Sequence, residues 1–155
     1  MDYPTEENNF LLAHVLLLNN SYRYWLSQDL MPPCTSAAAF AKQLFYAPFA
    51  LVSHNTAPDP VFNYANLKAL ELFELGWEDF TRLPSRLSAE TPNQAERERA
   101  LAIVSRNGYL YPYEGVRIAS SGKRFCIKNA VIWNLLDQHQ QAQGQAAMLT
   151  EWTFL

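Results

Sequence analysis

The 155-residue chain has only two cysteines, Cys34 and Cys126. A single pair cannot make a disulfide scaffold, and reduced thiols in a cytosol are the simpler reading. No apolar run approaches the ~20 residues that a membrane-spanning helix needs. The longest, Phe10 to Leu18, is broken by His14. No basic leader with a small-residue cleavage site is recognisable, so the sequence reads as cytoplasmic, with no membrane partner. Charge is sparse as well, at 17% of residues with a net of -3. Residues 1–80 carry 3 basic and 9 acidic side chains, and residues 81–155 carry 9 and 6. The basic half holds no dense Lys/Arg run, and nucleic-acid binding, which depends on such a footprint, is not expected. Nor does any repeat, low-complexity tract or long linker divide the chain, whose length suits one domain.

Aromatics are abundant: 4 Trp, 8 Tyr and 9 Phe within a hydrophobic fraction of 49%. They supply core volume and flat walls for a planar ligand. Apolar periodicity predicts a first helix from about Thr5 to Leu30, capped by Thr5 and stopped by Pro32 and Pro33. Leu11, Val15, Leu18, Tyr22 and Trp25 fall on one stripe that can cover the domain's own sheet. Leu12, Leu16 and Leu26 lie beside that stripe. Either a second copy of this helix buries them in a homodimer, or the second helix, Ser36 to Phe45, covers them.

Two short strands, Phe49–Ser53 and Val61–Tyr64, flank a turn in which Pro58 and Pro60 forbid regular pairing. A helix from Leu67 to Leu75, capped by Asn66 and ended by Gly76, comes next, then a helical turn over Trp77–Leu83. Thr91-Pro92-Asn93-Gln94 reads as the capped start of a helix that runs to Arg106. The last third reads as strands over Tyr109–Ala119, Lys123–Leu136 and Gln145–Trp152, with a hairpin turn at Ser120-Ser121-Gly122. Period-two spacing places Phe125, Ile127, Val131, Trp133 and Leu135 on one face. The order predicts an α+β domain, an antiparallel sheet with helices massed on one face.

From Val61 to Phe80 a strand runs into an Asn-capped helix, a Gly76-Trp77 turn and an acidic short helix, which resembles the PAS core signature. The words at Ala47–His54, Pro58–Asn66, Leu83–Glu90 and Gly115–Phe125 resemble more closely the MEKHLA domain, a PAS-like domain. The resemblance implies a five-stranded antiparallel sheet in the order 2-1-5-4-3, with short helices over one face often enclosing a ligand pocket. It divides the chain into an N-terminal helical extension, 1–46, and a PAS-like domain, 47–155, with Phe49–Ser53 near the sheet centre. Its implied role is a sensory or small-molecule-binding module that signals by conformational change to a separate protein partner. A second role is an interaction or dimerisation module with a filled core.

No cofactor follows from the sequence. The reactive-cysteine word of flavin photoreceptor PAS domains is absent, and the helix from Pro92 to Arg106 has no His to serve as a haem ligand. The protein is expected to show aromatic absorbance only. His14, His54 and His139 have no metal-ligand spacing. Ser53, His54 and Asp59 contain the residue types of a hydrolase triad, but adjacent Ser53 and His54 point to opposite faces of an extended strand. A small enzyme using His54 with Asp59 is the least favoured reading. Otherwise these two side chains shape the proline-rich loop, or His54 faces the pocket mouth and touches a ligand. Asn63, Arg86, Tyr113, Arg117 and Trp133 complete the candidate ligand-binding set. A guanidinium at Arg117 on the sheet's inner face would need a carboxylate or a bound anion. Facing outward, it would meet water or an acid such as Glu114 or Glu90.

Overall fold

A computed structural model describes residues 2–155. Thr5 caps a short 3-10 turn, Glu6–Asn8, through a reciprocal pair of hydrogen bonds with Asn8. Asn9, Phe10 and Leu11 then adopt left-handed backbone angles. They break the helix expected from Thr5, and α1 runs over Leu12–Leu26. Left-handed φ is unfavourable for non-glycine residues. Here it drives the Phe10 ring into the core against Phe45 and Tyr46. Ser36 caps α2, Ala37–Phe45. Strands β1, Ala50–His54, and β2, Phe62–Ala65, follow, so His54 belongs to the strand rather than to the loop.

Next come α3, Leu67–Phe73, α4, Trp77–Phe80, and α5, Thr91–Asn107. Helix α3 stops at a left-handed Glu74, two residues before Gly76. Glu90, not Thr91, occupies the α5 cap position. The side chain of Gln94 donates instead to the carbonyl of Ala89. The remaining strands are β3, Tyr109–Ile118, β4, Arg124–Leu136, β5, Ala142–Leu149, and β6, Glu151–Phe154.

All pairings are antiparallel, in the order β2-β1-β5-β4-β3, so β1 has a neighbour on each side. Strand β6 pairs with the first half of β4 and continues the register of β5 along it: Val131 faces Met148 and Ile127 faces Trp152. The two are one long strand interrupted near Thr150, beside Asn129 of β4, whose φ is 54°. That irregularity shifts the phase of β4. Ile127 faces the helices α3 and α5, as does Phe125, whose ring meets Phe73 at 5.3 Å. Trp133 faces the opposite side. The single face expected for Phe125, Ile127, Val131, Trp133 and Leu135 is therefore split in two by one extra residue.

Helices accordingly lie on both faces of the sheet. Helix α1 crosses the outer face with the stripe Val15, Leu18 and Tyr22 buried. The Trp133 Nε1–H donates to the Leu18 carbonyl at 3.2 Å, and its ring meets Tyr22 edge-on at 4.9 Å. Ser21 exchanges hydrogen bonds with the Leu136 backbone, and Trp25 donates to the Asn134 carbonyl. His14 Nε2 lies 2.9 Å from Ser53 Oγ, and its ring stacks on Tyr64 at 5.5 Å. Burial pushes His14 down to a pKa of about 4. Leu12 and Leu26 are half-buried against the core, while Leu16 is 40% exposed.

Asn66, fully buried, joins three elements. Its Oδ1 accepts from the backbone N–H of Leu51 and Ala69, and its Nδ2 donates to the carbonyls of Leu44 and Phe49. One side chain thus caps α3 and ties it to β1 and to the end of α2. Asn66→Ala leaves four backbone groups without that partner and is expected to cost about 2–4 kcal/mol in urea unfolding. A loss below about 0.5 kcal/mol, the range of an ordinary surface change, would contradict this role. The His14 shift has a sign as well. Below the unfolded pKa the unfolded chain binds a proton that the folded chain refuses. Stability is therefore complete above about pH 6.5 and is lost as the pH falls toward 4. The expected contribution is roughly 1–3 kcal/mol, removed by His14→Phe, which retains a ring over Tyr64. An unchanged acid slope in that variant would contradict the assignment.

Candidate functional site

Between the inner face of the sheet and the helices α3 and α5 lies a cavity of about 60 Å³. Val52, Phe62, Phe73, Ile127, Ile132 and Leu149 give it apolar walls, and His54, Ser88, Arg97, Tyr113, Arg117 and Gln145 supply its polar groups. Alternation along each strand brings these side chains to one face: Ala147 of β5 pairs with Val52 of β1 and with Ile132 of β4, and His54 pairs with Gln145. The Gln145 amide donates toward Leu101, Ser105 and Asn134, which holds α5 on the sheet.

His54 is buried at the end of β1, with Nδ1 2.9 Å from the Asn55 carbonyl. Burial lowers its pKa, helped by the charge on Arg97, while the Asn55 carbonyl and the Gln145 side chain act in the opposite direction. The ring is therefore neutral, with Nδ1–H donating; among the described residues Nε2 has no hydrogen bond of good geometry, and the paired Gln145 is the polar side chain beside it. Gly144 allows β5 to approach here. Its φ is +127°, and a Cβ at that position would lie 1.9 Å from the His54 carbonyl oxygen.

Arg117 is 8% exposed and points inward. Its Nη1 donates to the Val116 carbonyl and its Nη2 to the Tyr113 hydroxyl, at 3.0 and 3.1 Å. Tyr113 in turn donates to Glu96 Oε2 at 3.0 Å. The two side chains fold over Gly115, where a Cβ would come within 2.5 Å of the Tyr113 hydroxyl and 3.1 Å of Arg117 Nη1. The glycine is thus part of the site's construction. Neither Glu114 nor Glu90 pairs with Arg117; Glu90 binds Arg124. Arg97, also buried, donates to Ser85 Oγ at 2.7 Å and to the solvent-side Glu98 at 3.2 Å. Burial and then the charge on Arg117 push its pKa down to about 10.

Of the residues singled out in the sequence, His54, Tyr113 and Arg117 meet at this cavity. Arg86 lies outside, exposed and paired with Asp59 at 3.1 Å. Both line an outer cleft of about 310 Å³ that shares His54, Arg97, Leu101 and Gln145 with the cavity. Since Asp59 is engaged by Arg86, the His54–Asp59 pairing of the enzyme reading is not formed. Asn63 and Trp133 do not reach the cavity. Asn63 accepts from Ser53 Oγ, which also meets His14, and Trp133 packs beneath α1. The phase shift in β4 and the register shift between Ser53 and His54 account for these placements. Sequence reasoning missed Arg97, Ser88 and Gln145. Arg97 sits in a Glu-Arg-Glu-Arg run that reads as a solvated helix face. No signal distinguishes it there except its four-residue spacing from the apolar Leu101.

The family description "MEKHLA domain" matches residues 12–154. Over 149 residues the chain is 24% identical to the homeobox-leucine zipper protein ATHB-8 of Arabidopsis thaliana, covering 92% of this chain and 17% of that protein. Homeobox-leucine zipper protein HOX10 of rice (Oryza sativa subsp. indica) is 22% identical over 136 residues, covering 87% and 16%. The chain thus spans about a sixth of these relatives' lengths. A PAS domain from Colwellia psychrerythraea superposes with a TM-score of 0.61 at 16% identity, covering 73% of this chain and 93% of that one. An RNA-binding light-oxygen-voltage receptor gives 0.64 at 15%, covering 78% and 36%. A fungal light-oxygen-voltage photoreceptor domain gives 0.59 at 16%, covering 90% of each chain.

The residues present do not fit a flavin. The cavity's 60 Å³ is several-fold below the ~300 Å³ at which cofactor-sized pockets begin. No cysteine lines it: Cys34 lies between α1 and α2, and Cys126 is in β4. Among the described residues no helix is long and apolar enough to cross a membrane. The match over residues 12–154 includes α1 and α2 with the sheet, and the fold superposes on a PAS domain: the chain belongs to the MEKHLA domain family and has a PAS-like α+β fold.

Proposed function

We propose that this MEKHLA domain is a cytoplasmic sensory module that binds a small molecule in the inner cavity and signals by conformational change to a separate protein partner. The observation that carries the reading is the convergence of three buried polar side chains, His54, Arg97 and Arg117, on one partly open cavity with apolar walls. Buried polar groups are costly unless they are partnered, and a bound polar ligand offsets that cost. Transmission follows from strand alternation. His54 faces the cavity, while the preceding Ser53 faces outward and meets His14 of α1 and Asn63 of β2. A shift of β1 on loading the cavity reaches α1 through that contact. No catalytic step is assigned, because Asp59 is held by Arg86 rather than by His54.

Native mass spectrometry of freshly purified protein tests the reading. The expected result is a small retained mass, released on denaturation and missing from Ala147→Met, whose longer side chain fills the cavity. Equal native and denatured masses for the parent chain would favour a filled interaction module instead.

A second role is supported by the outer side of α1, where Leu16 and Tyr24 are 40% and 59% exposed. We place a homodimer contact there, with Leu12 and Leu26 at its margins. Leu16→Glu is expected to convert a dimeric parent into a folded monomer in sedimentation, since the side chain is already partly in water. A parent that is monomeric at high micromolar concentration would exclude the dimer.

A further inference from the structure

We infer that the cavity's ligand is a short-chain monocarboxylate, its carboxylate held by Arg117 and Tyr113 and its alkyl end against Phe62, Phe73 and Leu149. This deepens the sensory reading above and rests on it. The first ground is charge. Arg117 is buried, and among the described residues it forms no ion pair. Two of the five N–H donors of its guanidinium are engaged, one by a carbonyl and one by the Tyr113 hydroxyl. The nearby Arg97 is buried too, and its carboxylate partner, Glu98, has a side chain 65% exposed. Arg117 reaches an acid only through Tyr113, which donates to Glu96. Two guanidiniums are therefore held in a low-dielectric interior with their counter-charges at its rim. An anion in the cavity relieves both the desolvation and the mutual repulsion.

The second ground is construction. Gly115 leaves bare backbone beneath the Tyr113–Arg117 pair, because any Cβ there would collide with the Tyr113 hydroxyl and crowd Arg117 Nη1. Glycine weakens a strand interior, so the pair is kept in place at a cost to β3. The third ground is size and lining. A cavity of about 60 Å³ with largely apolar walls suits a molecule of a few heavy atoms and falls well short of the ~300 Å³ at which nucleotide- or cofactor-sized pockets begin. A planar carboxylate matches the guanidinium fork. His54 is neutral, so Arg117 and Arg97 are the cations that a carboxylate meets in this cavity.

The test is a titration of the full chain with sodium propionate and with propionamide at constant ionic strength. Binding is read from the backbone amide NMR signals of Gly115, Arg117 and Ala147. Propionate is expected to shift these signals saturably, with an affinity about tenfold or more above that of the isosteric amide. Arg117→Met and Gly115→Ala, the latter displacing both Tyr113 and Arg117, should remove that preference. If propionamide binds as tightly as propionate, or Arg117→Met binds propionate unchanged, the anion assignment is overturned while the small-molecule reading stands. If neither probe shifts any of these signals, the carboxylate proposal also fails, and the native mass measurement decides the sensory reading separately. Should both variants unfold, the ratio of propionate to propionamide affinity in the parent chain decides.

Discussion

The central strands are covered on both faces, and the polar residues on them must find partners away from water. Helix α1 lies over one side and α3 and α5 over the other, so β1 is buried along its full length. In such a layer an unpartnered polar atom costs on the order of 1–3 kcal/mol. Most of the polar side chains are satisfied by neighbouring elements: Ser53 by His14 and Asn63, Gln145 by α5 and β4, Asn66 by three separate backbone segments. These bonds also orient the layers, because each joins elements distant in sequence.

Against that background the exceptions stand out by position. Among the described residues His54 Nε2 has no hydrogen bond of good geometry and the Arg117 guanidinium has no ion pair; both border the same cavity. The Tyr64 hydroxyl is a second buried atom without a hydrogen bond among the described residues, but it lies on the α1 side beside His14, away from this cavity. A core optimised only for stability would replace Arg117 and His54 with apolar side chains of similar volume. Their convergence on one cavity is what the proposed binding role rests on, and the cavity's volume suits a small ligand.

Much of the fold was legible because local signals agreed with it. The Asn66 cap, the proline-rich turn before β2, the hairpin turn at Ser120–Gly122 and the MEKHLA words all point to one strand order. What was not legible depended on single residues with long reach. Left-handed Asn9, Phe10 and Leu11 shorten α1, although no glycine announces the turn. The irregularity at Asn129 reverses the facing of the second half of β4, so period-two counting carried Trp133 to the wrong side. The site divides in the same way. Tyr113 and Arg117 share a face on either side of Gly115, but the strand pattern alone left open whether that face was inner or outer; Arg97 enters from a helix face whose charges look solvated. Its burial follows from how α5 docks, which a helical pattern of mixed charge does not reveal.

Coupling across the sheet is the part of the account on which function turns. Ser53 and His54 are consecutive, so the cavity and α1 are joined by one peptide unit of β1. Hydrogen–deuterium exchange of the parent chain, with saturating propionate and with propionamide as the control, tests this directly. Cavity loading is predicted to change exchange both in β1 and in the α1 amides of residues 12–26. Slowed exchange in β1 and β5 with α1 unchanged would contradict the account, because the ligand would then bind without being felt on the other face.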